Sequence, residues 1–572
     1  MRAPRGLPRC IARSGPLTLA GASALSLVAC VGERPAAHDD APGTIVIATV
    51  GAPQPLVPPL VATLQGMQMM DQLFDRLAEP GDSLNVVGDA GFRPRLARGW
   101  RWGPDSLSIA FSLDERARWH DGRPVTSADV RFTHALYRDT AVASAVAPLV
   151  ADIDSVSAPD PRTAVFHFRR RSPQQFFDAT YQMYVVPEHL LATAPRGALG
   201  TSAFARHPVG SGRFRFVREV PGQLVEMAAD TGNFRRRPGV ARVLWTVRSD
   251  PNAATRALLA GEADVWEQVR PDMLSQVATA ADLRPVAYPS LDVGFVAFNL
   301  GAGGAATRRP TLLADRALRR ALAAAVDRAS AARNVFDTLA FADVAPVPRA
   351  LTGWTPAATG PRFDADSARA ALDALGWRDA DGDGVRERAG RPLAFTLLVP
   401  STSSARMRYA VLLQAQWKAV GARVAVEPAD LARFQSRVAA GDFDAALLAT
   451  HADPAPASLL QQWGAPGAGG RGAANVGGYR SAAFEALMDS AGAAFEGARA
   501  RTLYERAFTL LADDAPAIWL YEPRNVAGVH RRLEPAVLRA DGWWSGLADW
   551  RVRPGAALAR DRASSVTSTA AR

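Results

Sequence analysis

Cysteine and lysine are nearly absent from this 572-residue chain, which has two cysteines, Cys10 and Cys30, and one lysine, Lys418. Cys10 falls in a segment read below as a removable leader, so the processed chain keeps a single thiol. An intramolecular disulfide is then impossible, and a Cys–His nucleophile or a cysteine-built zinc site has no material. The eight histidines form no H-E-x-x-H pattern and no pair at i and i+4, so no metal-ligating helix is expected. Neither a glycine-rich phosphate loop of Walker type nor a G-x-S-x-G elbow occurs, and no cofactor is expected. Long hydrophobic runs are also missing. After Cys30 nothing approaches the ~18 uncharged apolar residues that a membrane helix requires.

The formal charge is +10. Arg2, Arg5, Arg9 and Arg13 lie in the leader without any acid, which leaves about +6 for the rest. That excess is scattered in short runs such as Arg169–Arg171 and Arg235–Arg237 with no accompanying motif, so nucleic-acid binding is not expected. Hydrophobic residues make up 48% and charged residues 21%, the balance of a folded globular chain. Its length exceeds what one core organises, so two or more lobes are expected.

What is present begins at the N-terminus. A basic stretch ending near Arg13 precedes Pro16–Ala29, a short apolar run, and then Cys30. This is the layout of a secretory signal, too short for a comfortable membrane helix. Leu27-Val28-Ala29-Cys30 resembles the bacterial lipobox, in which the cysteine is acylated and becomes the new N-terminus; the other reading is a plain cleaved signal with a chance cysteine. Acyl chains bury roughly 0.8 kcal/mol per methylene at a membrane surface. Residues 1–29 are thus expected to be a lipoprotein signal peptide and 30–43 a polar tether.

In the body, strand and helix signals alternate. Thr44–Val50 is β-rich; residues 65–77 carry Met67, Met70, Leu73, Phe74 and Leu77 on one helical face. Residues 107–113 alternate into a strand, and Thr126 opens a helix. Strands are expected at 243–247, 393–399 and 423–426, and helices at 251–260, 314–328 and 407–420, with two more within 484–511. Such β–α–β successions predict α/β lobes.

Several stretches go further. Leu113–Val130 (LDERARWHDGRPVTSADV), Pro208–Phe216 (PVGSGRFRF), Asp250–Val265 (DPNAATRALLAGEADV) and Phe295–Asn299 followed by Ala314–Arg328 stand in order along the chain. Ala371–Gly384, Gly441–Asp444 (GDFD) and Asp513–Tyr521 continue the series. Together they resemble the signatures of the extracellular solute-binding proteins of family 5, the peptide and oligopeptide receptors of ABC transporters. One departure is Arg213, where the family pattern has proline. Elementary chemistry assigns most of these residues to the scaffold. Asp121-Gly122 is a turn signal, Thr126 with Asp129 resembles a capping box, Gly210 and Gly212 permit tight backbone, and Gly261 ends a helix.

The resemblance implies a two-lobed, periplasmic-binding-protein-like α/β clamp with a discontinuous first lobe. That lobe would comprise 44–79, 200–290 and 525–555. An inserted domain would occupy 80–199, the opposite lobe 291–524, and a disordered tail 556–572. It also implies a monomer without chemistry of its own, which closes on a peptide or other small solute and docks on permease subunits. A secreted hydrolase would need a nucleophile or paired acids that no motif supplies. By the same resemblance, Asp453, with Thr450 and His451, occupies the place where an acid receives the peptide ammonium; the plain alternative is a turn residue before Pro454. Relatives often have an aromatic where Thr450-His451 stands, which leaves a metal complex, haem or an oligosaccharide open as cargo. Phe298 and Asn299 lie where the chain re-crosses between lobes and are candidates to line the cleft, or in the case of Phe298 to pack in the core. Asp379, Asp381, Asp383 and Gly384 match the first half of a calcium loop, but Gly390 stands where the bidentate glutamate belongs, so no metal is assigned.

Overall fold

The structure is a computed structural model describing residues 43–51, 55–301, 312–342, 345–351, 360–467 and 471–562. The segments read above as leader and tether, with Cys30, lie outside the described residues up to residue 42. The run Thr44–Val50 is buried through Thr49 and pairs in parallel with Arg242–Arg248. Its apolar and β-branched side chains face packed elements on both sides, which is why it reads as a continuous hydrophobic stretch.

That strand belongs to a twelve-stranded mixed sheet. The sheet is held together by one long strand, Ala517–His530. Residues Ala517–Tyr521 pair antiparallel with Asp292–Phe298, whereas Arg524–His530 pair antiparallel with Leu283–Pro289. Only Ser290 and Leu291 separate those two partner strands. The chain therefore passes between the two halves of the sheet at two adjacent places, and Ser290 Oγ ties them by donating to the Pro523 carbonyl at 2.7 Å.

One half continues through Val265–Trp266, Thr44–Val50, Arg242–Arg248, Leu224–Ala229 and Phe214–Val220; the other through Ala445–His451, Ala394–Pro400 and Arg423–Ala429. Between residues 80 and 199 a separate four-stranded antiparallel sheet forms from Ala97–Trp102, Ser108–Leu113, Thr163–Phe168 and Ile153–Asp160. Ser108–Leu113 and Thr163–Phe168 alternate in burial residue by residue, as strands with one covered face must. The buried faces join the core of the first half of the large sheet, with Phe111, Phe166 and Phe176 beside Leu73, Phe74 and Trp245.

Three expectations need correction. The helix read as 65–77 spans Leu64–Leu73 and buries Gln68, Met69, Met70, Gln72 and Leu73, while Met67 stays 39% exposed. The rest of the expected face, Met70, Leu73, Phe74 and Leu77, is buried; what hydrophobicity did not mark is that the inward side also takes in two glutamines whose amides find buried acceptors, Glu267 Oε2 at 2.6 Å and the Trp544 carbonyl at 3.3 Å. The helix read as 314–328 is two, Arg316–Ala324 and Arg328–Phe336, because the Asp327 carboxylate accepts the Ser330 N–H and caps the second. The tail read as disordered from 556 is anchored as far as Asp561, which is 2% exposed.

Asp561 belongs to a buried ionic knot. Arg532 Nε donates to Asp264 Oδ1 at 2.7 Å and Nη1 to Asp561 Oδ2 at 2.7 Å. Asp561 Oδ1 accepts the Thr44 N–H at 2.6 Å, and Asp264 Oδ2 accepts the Val46 N–H at 2.9 Å. The knot joins the beginning of the first strand, the exit of the helix Pro251–Leu259 and the end of the described chain. Taking one partner from such a cluster strands the others in a poorly solvated place, which costs about 3–5 kcal/mol. Arg532→Ala is expected to lower stability by at least about 3 kcal/mol, read as the shift of the thermal and urea midpoints.

A second buried acid makes stability depend on pH. Glu267, 5% exposed, is pushed by burial from 4.5 up to about 7. Its raised folded value means that the folded state prefers the proton. Stability is full below the ordinary glutamate range and declines as pH rises from there to about 7, by roughly 3 kcal/mol at most. Glu267→Gln, which stays neutral, is expected to raise the thermal midpoint at pH 8 and to leave it nearly unchanged at pH 4.

Candidate functional site

The strand Ala445–His451 runs antiparallel to Asp292–Phe298, and the register sets His451 directly opposite Asp292. Their side chains meet as a cross-strand pair, His451 Nδ1 to Asp292 Oδ1 at 2.9 Å. The Asp292 hydrogen bond raises the His451 pKa above its ordinary value. The chain leaves the strand through Ala452, whose N–H donates to the Leu291 carbonyl at 2.7 Å, and enters a proline-rich turn. There Asp453 Oδ1 accepts the Ala455 N–H at 2.7 Å.

This turn borders a cavity of about 140 Å³ whose walls include Val347, Leu351, Thr450, His451, Asp453 and Gln462. Three of the expected site residues are thus brought together. Asp453 acts both as a turn residue and as a cavity wall: one oxygen closes the turn, while the other accepts no hydrogen bond among the described residues. Solvent reaches the side chain along the cavity, yet the protein crowded around it raises the carboxyl pKa.

Phe298 and Asn299 are placed elsewhere. Phe298 is 0% exposed and packs in the core with Leu318, Leu397 and Ile518. The Asn299 amide donates to the Gly441 and Phe443 carbonyls, both at 2.8 Å. The GDFD motif therefore has a structural part here. Asp444 Oδ2 also accepts both the N–H and the hydroxyl of Thr396 at 2.9 Å.

A larger cavity of about 460 Å³ lies on the other side of the segment 345–351, at the strand crossing. Its walls include Asp82, Ser290, Arg349, Glu522, Arg524 and Arg539, so both halves of the sheet contribute. Arg349 Nε reaches Glu522 Oε2 at 3.3 Å while its guanidinium lies 4.3 Å from the centre of the Phe341 ring.

Sequence reasoning missed the groups that approach Asp453 from the other side. Asp178, on the helix Gln175–Thr180, and Tyr181 just beyond it both lie within electrostatic range of Asp453. Arg76 sits 4.4 Å above the Tyr181 ring and 4.0 Å above that of Tyr184. No motif marks the segment 172–186; the only available signal was an aspartate among buried aromatics.

The aspartates of the calcium-like loop are occupied in shaping it. Asp379 accepts the Gly382 and Gly384 N–H groups at 2.8 and 3.0 Å, and Glu387 accepts the Ala380 N–H at 2.9 Å. These bonds account for the pattern as a turn.

Two α/β halves joined by adjacent strand crossings, with recesses at the junction, define a solute-binding clamp. The sequence profile described as "Bacterial extracellular solute-binding proteins, family 5 Middle" matches residues 91–470, and the chain belongs to that family. Oligopeptide-binding protein AppA of Bacillus subtilis is 24% identical over 512 residues, 86% of this chain and 88% of AppA. The structure of AppA in complex with a nonapeptide aligns with a TM-score of 0.66 at 22% identity, covering 89% of this chain and 99% of that one. The substrate-binding protein CtaP from Listeria monocytogenes aligns at 0.76 and 20% identity, with coverage of 89% and 99%. NikZ from Campylobacter jejuni, in complex with Ni(L-His), aligns at 0.69 and 21% identity with the same coverage. These structures establish the two-lobed periplasmic binding protein fold. No helix among the described residues is long and apolar enough to cross a membrane.

The His451–Asp292 pair can be tested directly. Because the folded value is raised, the protonated pair contributes stability fully below the unfolded histidine value, and the contribution is lost as pH rises through the folded one. A proton NMR titration is expected to place His451 above the ordinary 6.5, and Asp292→Asn is expected to bring it down.

Proposed function

We propose that this protein is the substrate-binding component of an ABC importer and captures a peptide between its lobes. The observation that carries this reading is Asp453, a carboxylate on the cavity wall with one oxygen uncommitted. A peptide ammonium leaving water needs such a partner, and a charge-assisted hydrogen bond supplies it. The likeness to an oligopeptide-binding protein over 86% of the chain supports the assignment of cargo.

On this reading the first lobe comprises 44–79, 200–290 and 525–555, with 80–199 inserted, and faces the lobe 291–524. The two strand crossings flex, the lobes close around the ligand, and the closed form is recognised by the permease. The ligand leaves unaltered, so the protein is not an enzyme and acts as a monomer. Cys30 carries the lipid that holds it at a membrane surface facing the periplasm or the cell exterior, and the tether lets it reach the transporter.

Native purification followed by denaturation and mass spectrometry of the released molecule identifies the cargo; a non-peptide solute there refutes the peptide reading. With a peptide in hand, Asp453→Ala is expected to weaken binding about 10- to 100-fold by calorimetry, the equivalent of one charge-assisted hydrogen bond. Unchanged affinity would remove Asp453 from the site.

A further inference from the structure

The helix Gln175–Thr180 is fixed in place, because Phe176 and Phe177 are 0% and 1% exposed. Between them and the next buried residue, Ala179, stands Asp178, half-buried. Its carboxylate takes part in no hydrogen bond or ion pair among the described residues. Arg170, the cation within range of it, is engaged with Asp152 at 2.5 Å. Burial, then Asp152, and also Asp453 push the Asp178 carboxyl well above the ordinary range, against the opposing pull of Arg170. The phenol of Tyr504 is the remaining titratable neighbour.

Packing shows independently that this region is a seam between the lobes. Trp102, whose ring centre is 6.5 Å from that of Phe176, meets Phe495 of the opposite lobe edge-on at 4.9 Å. Leu84 and Val87 pack into the core that contains Trp463, Tyr504 and Phe508. From the other direction Ala455, in the Asp453 turn, packs against the core that contains Phe177.

Counting charges around this seam isolates two carboxylates. Asp152 engages Arg170, and Asp292 engages His451, which leaves Asp178 and Asp453, on opposite lobes and within electrostatic range of each other, without a cation of their own. A single ammonium can neutralise one of them. With the ammonium on Asp453, the half-buried Asp178 is left uncompensated, which favours its neutral form unless a second cation arrives.

We propose that Asp178 is a specificity-determining residue of the cleft that selects peptides with a basic first residue. Asp453 takes the ammonium, as under the proposed function on which this inference rests, and Asp178 takes the lysine or arginine side chain.

The test uses the full, ligand-stripped protein and alanine-based peptides of several lengths that begin with lysine or, in a paired set, with norleucine. Norleucine preserves the aliphatic stem and lacks the amine. The wild type is expected to bind the lysine set about tenfold or more tightly than the norleucine set, as for one partly desolvated ion pair. In Asp178→Asn that preference should vanish while norleucine peptides bind within about twofold of wild type, a result that also certifies the variant as folded. Asp453→Asn should weaken both sets. Binding of both sets without preference, or a preference that survives in Asp178→Asn, overturns this proposal and leaves the peptide reading intact. Failure of the wild type to bind either set overturns the peptide reading and this proposal with it.

Discussion

The structure depends on a single strand that is hydrogen-bonded into both halves of the molecule. Ala517–His530 pairs with Asp292–Phe298 over its first part and with Leu283–Pro289 over its second. Each half of the sheet needs this strand to satisfy its backbone, so neither can drift without breaking ladder bonds. The place where the pairing changes partner is also where polar groups gather. Glu522, 4% exposed, accepts the Arg349 N–H at 3.0 Å, and the Arg524 N–H donates to the Leu339 carbonyl at 2.8 Å. A clamp built this way is held together at the crossing, and the two recesses described above lie beside it.

Much of the fold was legible because the motifs are structural. The His120 ring bridges the chain turn at 210–212: Nδ1 accepts the Gly210 N–H at 3.2 Å and Nε2 donates to the Gly212 carbonyl at 3.0 Å. A Cβ on Gly210 would lie 1.7 Å from the Leu73 carbonyl oxygen, and one on Gly212 2.2 Å from that of Gln72, so the close approach excludes any side chain at either position. Asp264, the acid that ends the G-E-x-D run, is the buried partner of Arg532. Even the departure at Arg213 has a use, since its guanidinium donates to Asp549 Oδ1 at 2.7 Å and to the Ala548 carbonyl at 2.9 Å. What stayed hidden on the helix Leu64–Leu73 was the burial of Gln68 and Gln72, whose amides find acceptors in distant segments.

The candidate site was legible on one side only. Thr450, His451 and Asp453 follow directly from a strand and its exit, so their adjacency is local and could be read from the chain. Asp178 and Tyr181 come from the inserted region, and nothing in their spacing ties them to residue 453; their proximity is a product of tertiary packing. Phe298 and Asn299 show the converse. Standing at a lobe boundary in sequence does not make a residue face the gap, and here an alternating strand turns Phe298 into the core while the asparagine secures neighbouring carbonyls.

The distribution of charge gives this asymmetry a physical meaning. The chain as a whole is basic, +10, yet the seam gathers Asp152, Asp178, Asp292 and Asp453 against Arg170 and His451. A field of opposite sign to the surrounding surface is one that a cationic guest can find. On the reading proposed above, with Asp178 on one lobe and Asp453 on the other, closure without a guest brings two acids together, and closure around a dication removes that penalty. A ligand shifts a two-state equilibrium only by its difference in affinity for the two states. Charge divided between the lobes is a means of placing that difference in the closing step, so that discrimination accompanies closure rather than first contact.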